Sequence, residues 1–147
     1  MNIVSQRLWK KSWEKGHDAI VTSATPSATR FLLVDDHEPF RKMMAEFLPA
    51  GVEVAECENG NAALEIYEDF RPEVVLMDVE MPVLDGISAT RTLIDRHPEA
   101  RIVILTQHDS PEMERAAFKA GAVAFHPKAD LGSLPGKLSK LFETQPD

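Results

Sequence analysis

A chain of 147 residues with 44% hydrophobic and 27% charged residues has the size and composition of one globular domain able to bury its own core. Its net charge of −8 argues against direct nucleic-acid binding, which needs clustered lysine and arginine. No apolar run is long enough to span a membrane and the N-terminus lacks a secretory pattern, so a cytoplasmic protein is expected. The single cysteine, Cys57, has no partner for a disulfide or a zinc site and reads as a small buried strand residue in a reducing compartment.

Residues 1–29 differ in character from the rest of the chain. Arg7, Lys10, Lys11 and Lys15 outnumber Glu14 and Asp18, so this head is +2 and the remaining chain is −10. Val4, Leu8 or Trp9, and Trp13 fall on one apolar stripe of a short basic helix; the plainer alternative is a disordered extension. Residues 20–29, small and hydroxyl-rich around Pro26, read as a linker. The main domain is predicted over 30–147.

From Arg30 onward apolar runs alternate with helical patterns. Residues 31–34 are a short continuous apolar run, the pattern of a strand covered on both faces. Residues 38–48 have helical composition and stop at Pro49-Ala50-Gly51. Residues 52–57 alternate as a strand, and Asn59-Gly60 turns into a helix over 61–70. A second apolar run at 74–77 leads into the loop 80–84, after which Asp85 caps a helix over 86–96. The third run is 102–105. Ser110 and Pro111 then open a helix that ends at Gly121. Residues 122–125 form a last strand and 133–142 a last helix, with Pro135 tolerated in its first turn. Five strands alternating with five helices predict a doubly wound α/β fold, a flavodoxin-like five-stranded parallel sheet of order 2-1-3-4-5 with helices on both faces.

Ligands of such sheets bind beyond the carboxyl ends of the strands. The first predicted strand ends in Asp35-Asp36, the third in Asp78 and the fourth in Thr106, while Lys128 comes after the fifth. Three carboxylates brought together repel unless a cation sits among them, and hard oxygen donors suit Mg²⁺ (or Mn²⁺). Such a cation keeps Asp78 ionised as a nucleophile and neutralises phosphoryl oxygens. Lys128 then binds one phosphoryl oxygen as a point charge, and Thr106 donates a hydrogen bond to another.

The stretches LLVDDHEPFR at 32–41, VVLMDVEMPVLDG at 74–86, VILT at 103–106 and AGAVAFHPK at 120–128 together resemble the receiver domain of two-component response regulators. The resemblance spans about four-fifths of the chain, and the DDHEPFR opening is most like receivers that precede a helix-turn-helix domain. It implies Asp78 as phosphoacceptor, Asp36 and Asp78 as direct Mg²⁺ ligands, Asp35 through water, and the backbone carbonyl of Glu80 as a further ligand. It also implies Thr106 and Phe125 as a switch pair, the aromatic ring turning inward as space opens beside the hydroxyl. Glu80 and His108 occupy the positions that in receivers influence how long the phosphoryl group survives. His37 and His108 each lie where a metal-binding or relay role is conceivable; the plainer reading makes both of them rim residues. One departure from the family pattern is that Ala129, not proline, comes directly after Lys128. A cis bond there would cost ~2.5–4 kcal/mol, so a trans or strained loop is expected.

The function this implies is a phosphorylation switch on Asp78, supplied by a histidine kinase or a histidine phosphotransfer protein. It would act on a downstream protein through the last two helices, as a monomer or a phosphorylation-dependent dimer. Because the sequence stops at Asp147, a stand-alone receiver is expected, with the receiver portion of a transcriptional regulator as the alternative. A Mg²⁺-dependent phosphohydrolase is the competing enzyme reading. The relevant phosphatases that resemble this site place a DxDx[TV] pattern on the first strand, which Asp35-Asp36-His37-Glu38 does not match.

Overall fold

Apolar runs without polar alternation belong where both faces of a strand are covered, and all three such runs lie in the interior of one sheet. In the computed structural model, which describes residues 2–4, 29–81 and 84–143, β1 spans Asn2–Val4, β2 Arg30–Val34 and β3 Glu53–Cys57. Strands β4 (Val74–Asp78), β5 (Ile102–Thr106) and β6 (Ala124–Pro127) complete the sheet. All pairings are parallel, in the order β1-β3-β2-β4-β5-β6. The five strands from β2 to β6 carry the predicted 2-1-3-4-5 order. Beyond them, β1 adds an edge strand against β3 that the sequence pattern does not predict. Val4 sits on that strand opposite Ala55, where the stripe of the head had put it on a helix. Leu8, Trp9, Trp13 and the linker residues 20–28 lie outside the described residues.

The helices are α1 (Glu38–Ala45), α2 (Gly60–Phe70), α3 (Gly86–Arg96), α4 (Pro111–Ala120) and α5 (Leu134–Glu143), with a 3-10 turn over Lys128–Ser133. Side chains satisfy the otherwise unpaired amides at four helix starts. The Ala62 N–H donates to Asn59 at 2.9 Å, Ser88 N–H to Asp85 at 2.9 Å, Met113 N–H to Ser110 at 3.1 Å, and Phe40 N–H to His37 Nδ1 at 3.2 Å. Helix α1 ends three residues earlier than its composition predicts. The amides of Glu46, Phe47 and Leu48 bond carbonyls three residues back, so the chain tightens before Pro49. Strand β6 begins later than predicted, because the Ala122 N–H closes α4 onto the Ala117 carbonyl and Val123 is the first to reach Ile102.

Alternation along the strands splits the core in two. Leu32, Val34, Val75, Met77, Ile102 and Ile104 meet Ala63, Ile66, Ala89, Leu93 and Ala117 from α2, α3 and α4. On the other face Phe31, Leu33, Leu76, Val103 and Leu105 meet Met44 and Ala45 of α1 and Leu134 and Leu138 of α5. Burying each large apolar side chain stabilises the fold by roughly 1.5–3 kcal/mol. No helix among the described residues is long and apolar enough to cross a membrane.

Helix α3 is held against the strand that bears Asp78. The Gly86 N–H donates to the Val79 carbonyl at 2.9 Å, and a Cβ on Gly86 would collide with the Asp78 carbonyl oxygen. Any side chain there must push the helix start away from β4. Gly86→Ala is therefore expected to lower stability by about 1–3 kcal/mol in urea denaturation; an unchanged midpoint would contradict this packing.

Candidate functional site

Parallel pairing brings the carboxyl ends of the strands to one edge, and register makes them level. Val34 lies opposite Met77, Asp78 opposite Leu105, and Thr106 opposite Pro127. The residues at or just past the ends of β2, β4, β5 and β6 are Asp35-Asp36, Asp78, Thr106 and Lys128. Backbone bonds fix the first of these, since the Asp35 N–H donates to the Cys57 carbonyl at 3.1 Å.

The Lys128 ammonium lies 2.8 Å from Asp35 Oδ2 and 2.9 Å from Asp78 Oδ1, with its charge 4.5 Å from the centre of the Phe40 ring. Asp35 is 1% and Asp78 4% exposed, whereas Asp36 is exposed to solvent. The second oxygen of Asp35 accepts the His37 N–H at 2.8 Å. Carboxylate oxygens of Asp35, Asp36 and Asp78 lie within 4.8 Å of one another. Three hard oxygen donors at that spacing, one of them open to water, fit a cation that keeps part of its hydration shell, as Mg²⁺ does.

Burial pushes the Asp78 carboxyl up to about 6. The hydrogen bond from Lys128 and the Glu80 backbone amide pull it down, while the neighbouring charge of Asp35 pushes it further up. Burial acts on Lys128 in the lowering direction, but its hydrogen bonds to Asp35 and Asp78 outweigh that and hold it above the usual lysine value. Asp78 is thus mostly ionised at neutral pH and needs no base to become a nucleophile.

The remaining predicted residues take these places. Thr106 is 1% exposed, and its hydroxyl accepts the His108 N–H at 2.9 Å. Phe125 is 8% exposed and packs in the core on the side of α2, α3 and α4. The side chain of Glu80 is exposed and pairs with His108 at 3.2 Å; Pro82 and Val83 of the same loop lie outside the described residues. His37 serves as the cap of α1. No cis peptide bond occurs among the described residues, so Lys128–Ala129 is trans, and Pro127 leads in extended geometry into the 3-10 turn. Cys57 is buried on β3, as expected, and burial pushes its thiol up to about 12, which leaves it without nucleophilic character.

Two charged residues beneath the site were missed by sequence reasoning. Arg41 of α1 and Glu56 of β3, each 8% exposed, pair at 2.7 Å, and Arg41 Nη1 also donates to the Asp35 carbonyl. Their signal was present in the pattern. Arg41 stands on the buried stripe of α1 with Met44 and Ala45, and Glu56 shares a strand face with Val52 and Val54. Opposite charges on two apolar faces that pack together call for each other.

Comparison with known proteins bears on the family and the fold. The family model described as the response regulator receiver domain matches residues 31–135. The chain is 41% identical over 96 residues to the chemotaxis protein CheY of Halobacterium salinarum, covering 65% of this chain and 80% of that protein. It is 35% identical over 99 residues to the transcriptional regulatory protein DegU of Brevibacillus brevis, covering 65% of this chain and 42% of that longer protein. Among solved structures, the signal receiver domain of NarL from Mycobacterium tuberculosis superposes with a TM-score of 0.74 at 27% identity, covering 82% of this chain and all of that one.

The raised pKa of Asp78 has a stability consequence. A carboxyl held above its unfolded value stabilises the fold while protonated, and that contribution is lost as pH rises from about 4 through about 6. With divalent cations chelated, Asp78→Asn should therefore gain on the wild type across this window. Allowing for solvent screening, the gain at neutral pH is on the order of 1 kcal/mol in urea denaturation. A difference that does not vary with pH would contradict the assigned cause.

Proposed function

Because this chain belongs to the response regulator receiver domain family of two-component signalling, we propose that Asp78 is its phosphoacceptor and that Lys128, Thr106 and the carboxylates of Asp35 and Asp36 serve the transfer. The observation that carries this reading is one lysine ammonium within 2.9 Å of both Asp35 and Asp78, beside a third carboxylate open to solvent.

In the proposed step an Asp78 carboxylate oxygen attacks the phosphorus of a phosphohistidine on a histidine kinase or histidine phosphotransfer protein. An O–P bond forms, the N–P bond breaks, and the departing imidazole takes up a proton from water. Asp36, Asp78, the Glu80 carbonyl and, through water, Asp35 would hold Mg²⁺, which when bound would neutralise the phosphoryl oxygens. Lys128 keeps its grip on Asp35 and turns its remaining donors to a phosphoryl oxygen. Thr106 donates a hydrogen bond from its hydroxyl to another while its oxygen stays within reach of the His108 amide. Three new acceptor oxygens and a charge of roughly −1.5 to −2 then bias the β5 and β6 ends, which carry Thr106 and Phe125. The downstream surface is α4, β6 and α5, where Phe118 and Val123 are exposed at 46% and 40%.

On this reading the protein acts in the cytoplasm as a monomer or phosphorylation-dependent dimer, binds a protein partner and turns over no external substrate. Its similarity to CheY over most of that protein's length favours action as a receiver alone. The DegU match favours a second reading, the receiver part of a transcriptional regulator; coding sequence that continues into a DNA-binding domain would decide for it.

With acetyl phosphate and Mg²⁺, the chain should become phosphorylated, Asp78→Asn should not, and Lys128→Met should react slower by roughly a hundredfold. Labelling by a phosphate-affinity gel reads all three. Uptake by Asp78→Asn at the wild-type rate would overturn the assignment.

A further inference from the structure

Asp36 is the most exposed of the three carboxylates, yet a metal ligand has to be held in place, so the question is what fixes the peptide that joins it to Asp35. Three bonds meet there. The Asp35 N–H donates to the Cys57 carbonyl, its Oδ1 accepts the His37 N–H, and its backbone carbonyl accepts Arg41 Nη1. The first two are local or part of the sheet. The third comes from a guanidinium that is itself locked, since Arg41 Nε donates to Glu56 Oε1 at 2.7 Å and both side chains are about nine-tenths buried.

We propose that Arg41 is a positioning residue for the cation site: it clamps the Asp35–Asp36 peptide to β3 through Glu56 and so aims the Asp36 carboxylate at the metal. The inference rests on the reading of Asp36 and Asp78 as Mg²⁺ ligands. The fork of a guanidinium is what the geometry needs, because one prong takes a carboxylate and another a carbonyl at the same time. A lysine reaches one of these or the other. The clamp touches neither substrate nor metal, so its loss loosens the ligand loop without removing any reacting group.

The test is Mg²⁺ binding by isothermal titration calorimetry on the full chain, together with the Mg²⁺ dependence of phosphorylation from acetyl phosphate. Removing a group that holds a metal ligand weakens metal binding by about ten- to a hundredfold. Arg41→Met should raise the Mg²⁺ dissociation constant by about tenfold or more and shift half-saturation of the phosphorylation rate by the same factor, while the plateau at high Mg²⁺ stays near that of the wild type. Arg41→Lys, which keeps the charge and secures the fold if the methionine variant does not fold, should show the same shift to a smaller extent. A folded variant with a lowered denaturation midpoint but unchanged Mg²⁺ affinity makes Arg41 merely structural and overturns the proposal. Wild-type protein that binds no Mg²⁺ would instead overturn the reading of the site on which it rests.

Discussion

One ammonium group between two buried carboxylates is the interaction on which this structure turns. Asp35 and Asp78 are almost wholly removed from water, where two like charges side by side repel strongly unless a cation lies between them. Lys128, 93 residues from Asp35 in sequence, meets both at hydrogen-bond distance. That meeting requires the ends of β2, β4 and β6 to come level, which in turn requires the parallel register and strand order of the whole sheet. The glycine at the start of α3 belongs to the same requirement, because it lets the helix pack directly on the backbone of Asp78.

The three acids are not equivalent, and their differences suit different tasks. Asp35 has both oxygens occupied, by Lys128 and by the His37 amide; it supports the site more than it reacts. Asp78 is buried, has a carboxyl pushed up to about 6, and is ionised at neutral pH with an oxygen bonded to Lys128. Asp36 is open to solvent, the side from which a hydrated cation would reach the proposed site. The acidic pocket is thus costly to the apo fold, as ligand sites often are, and a bound cation would offset the cost. Thr106 lies at the end of the next strand with its hydroxyl oxygen accepting the His108 N–H of its own loop, a contact that does not use the hydroxyl proton.

Much of this was legible in the sequence because it rests on rules that act locally. Continuous apolar runs marked β2, β4 and β5, and Asn59, Asp85 and Ser110 marked the helix starts; the alternation of the two element types then led to the sheet order. The polar residues that end the runs fell together because sheet order dictates which strand ends are neighbours. What escaped was what depends on pairing between distant faces. Arg41 and Glu56 are each one charge on an apolar face, and only packing α1 against β3 makes them a pair. Strand β1 escaped because Asn2–Val4 is three residues long, too short for a period to register, and the basic stretch after it drew the helical reading. The boundaries of α1 and β6 moved by a few residues where turn geometry, not composition, set the end.

Of the two carboxylates bonded to Lys128, Asp78 is the proposed phosphoacceptor. Phosphorylating the full chain, reducing the acyl phosphate with borohydride and locating the reduced residue by mass spectrometry tests this directly. A single site, at Asp78, is expected; reduction at Asp35 or Asp36, with Asp78 intact, would contradict it.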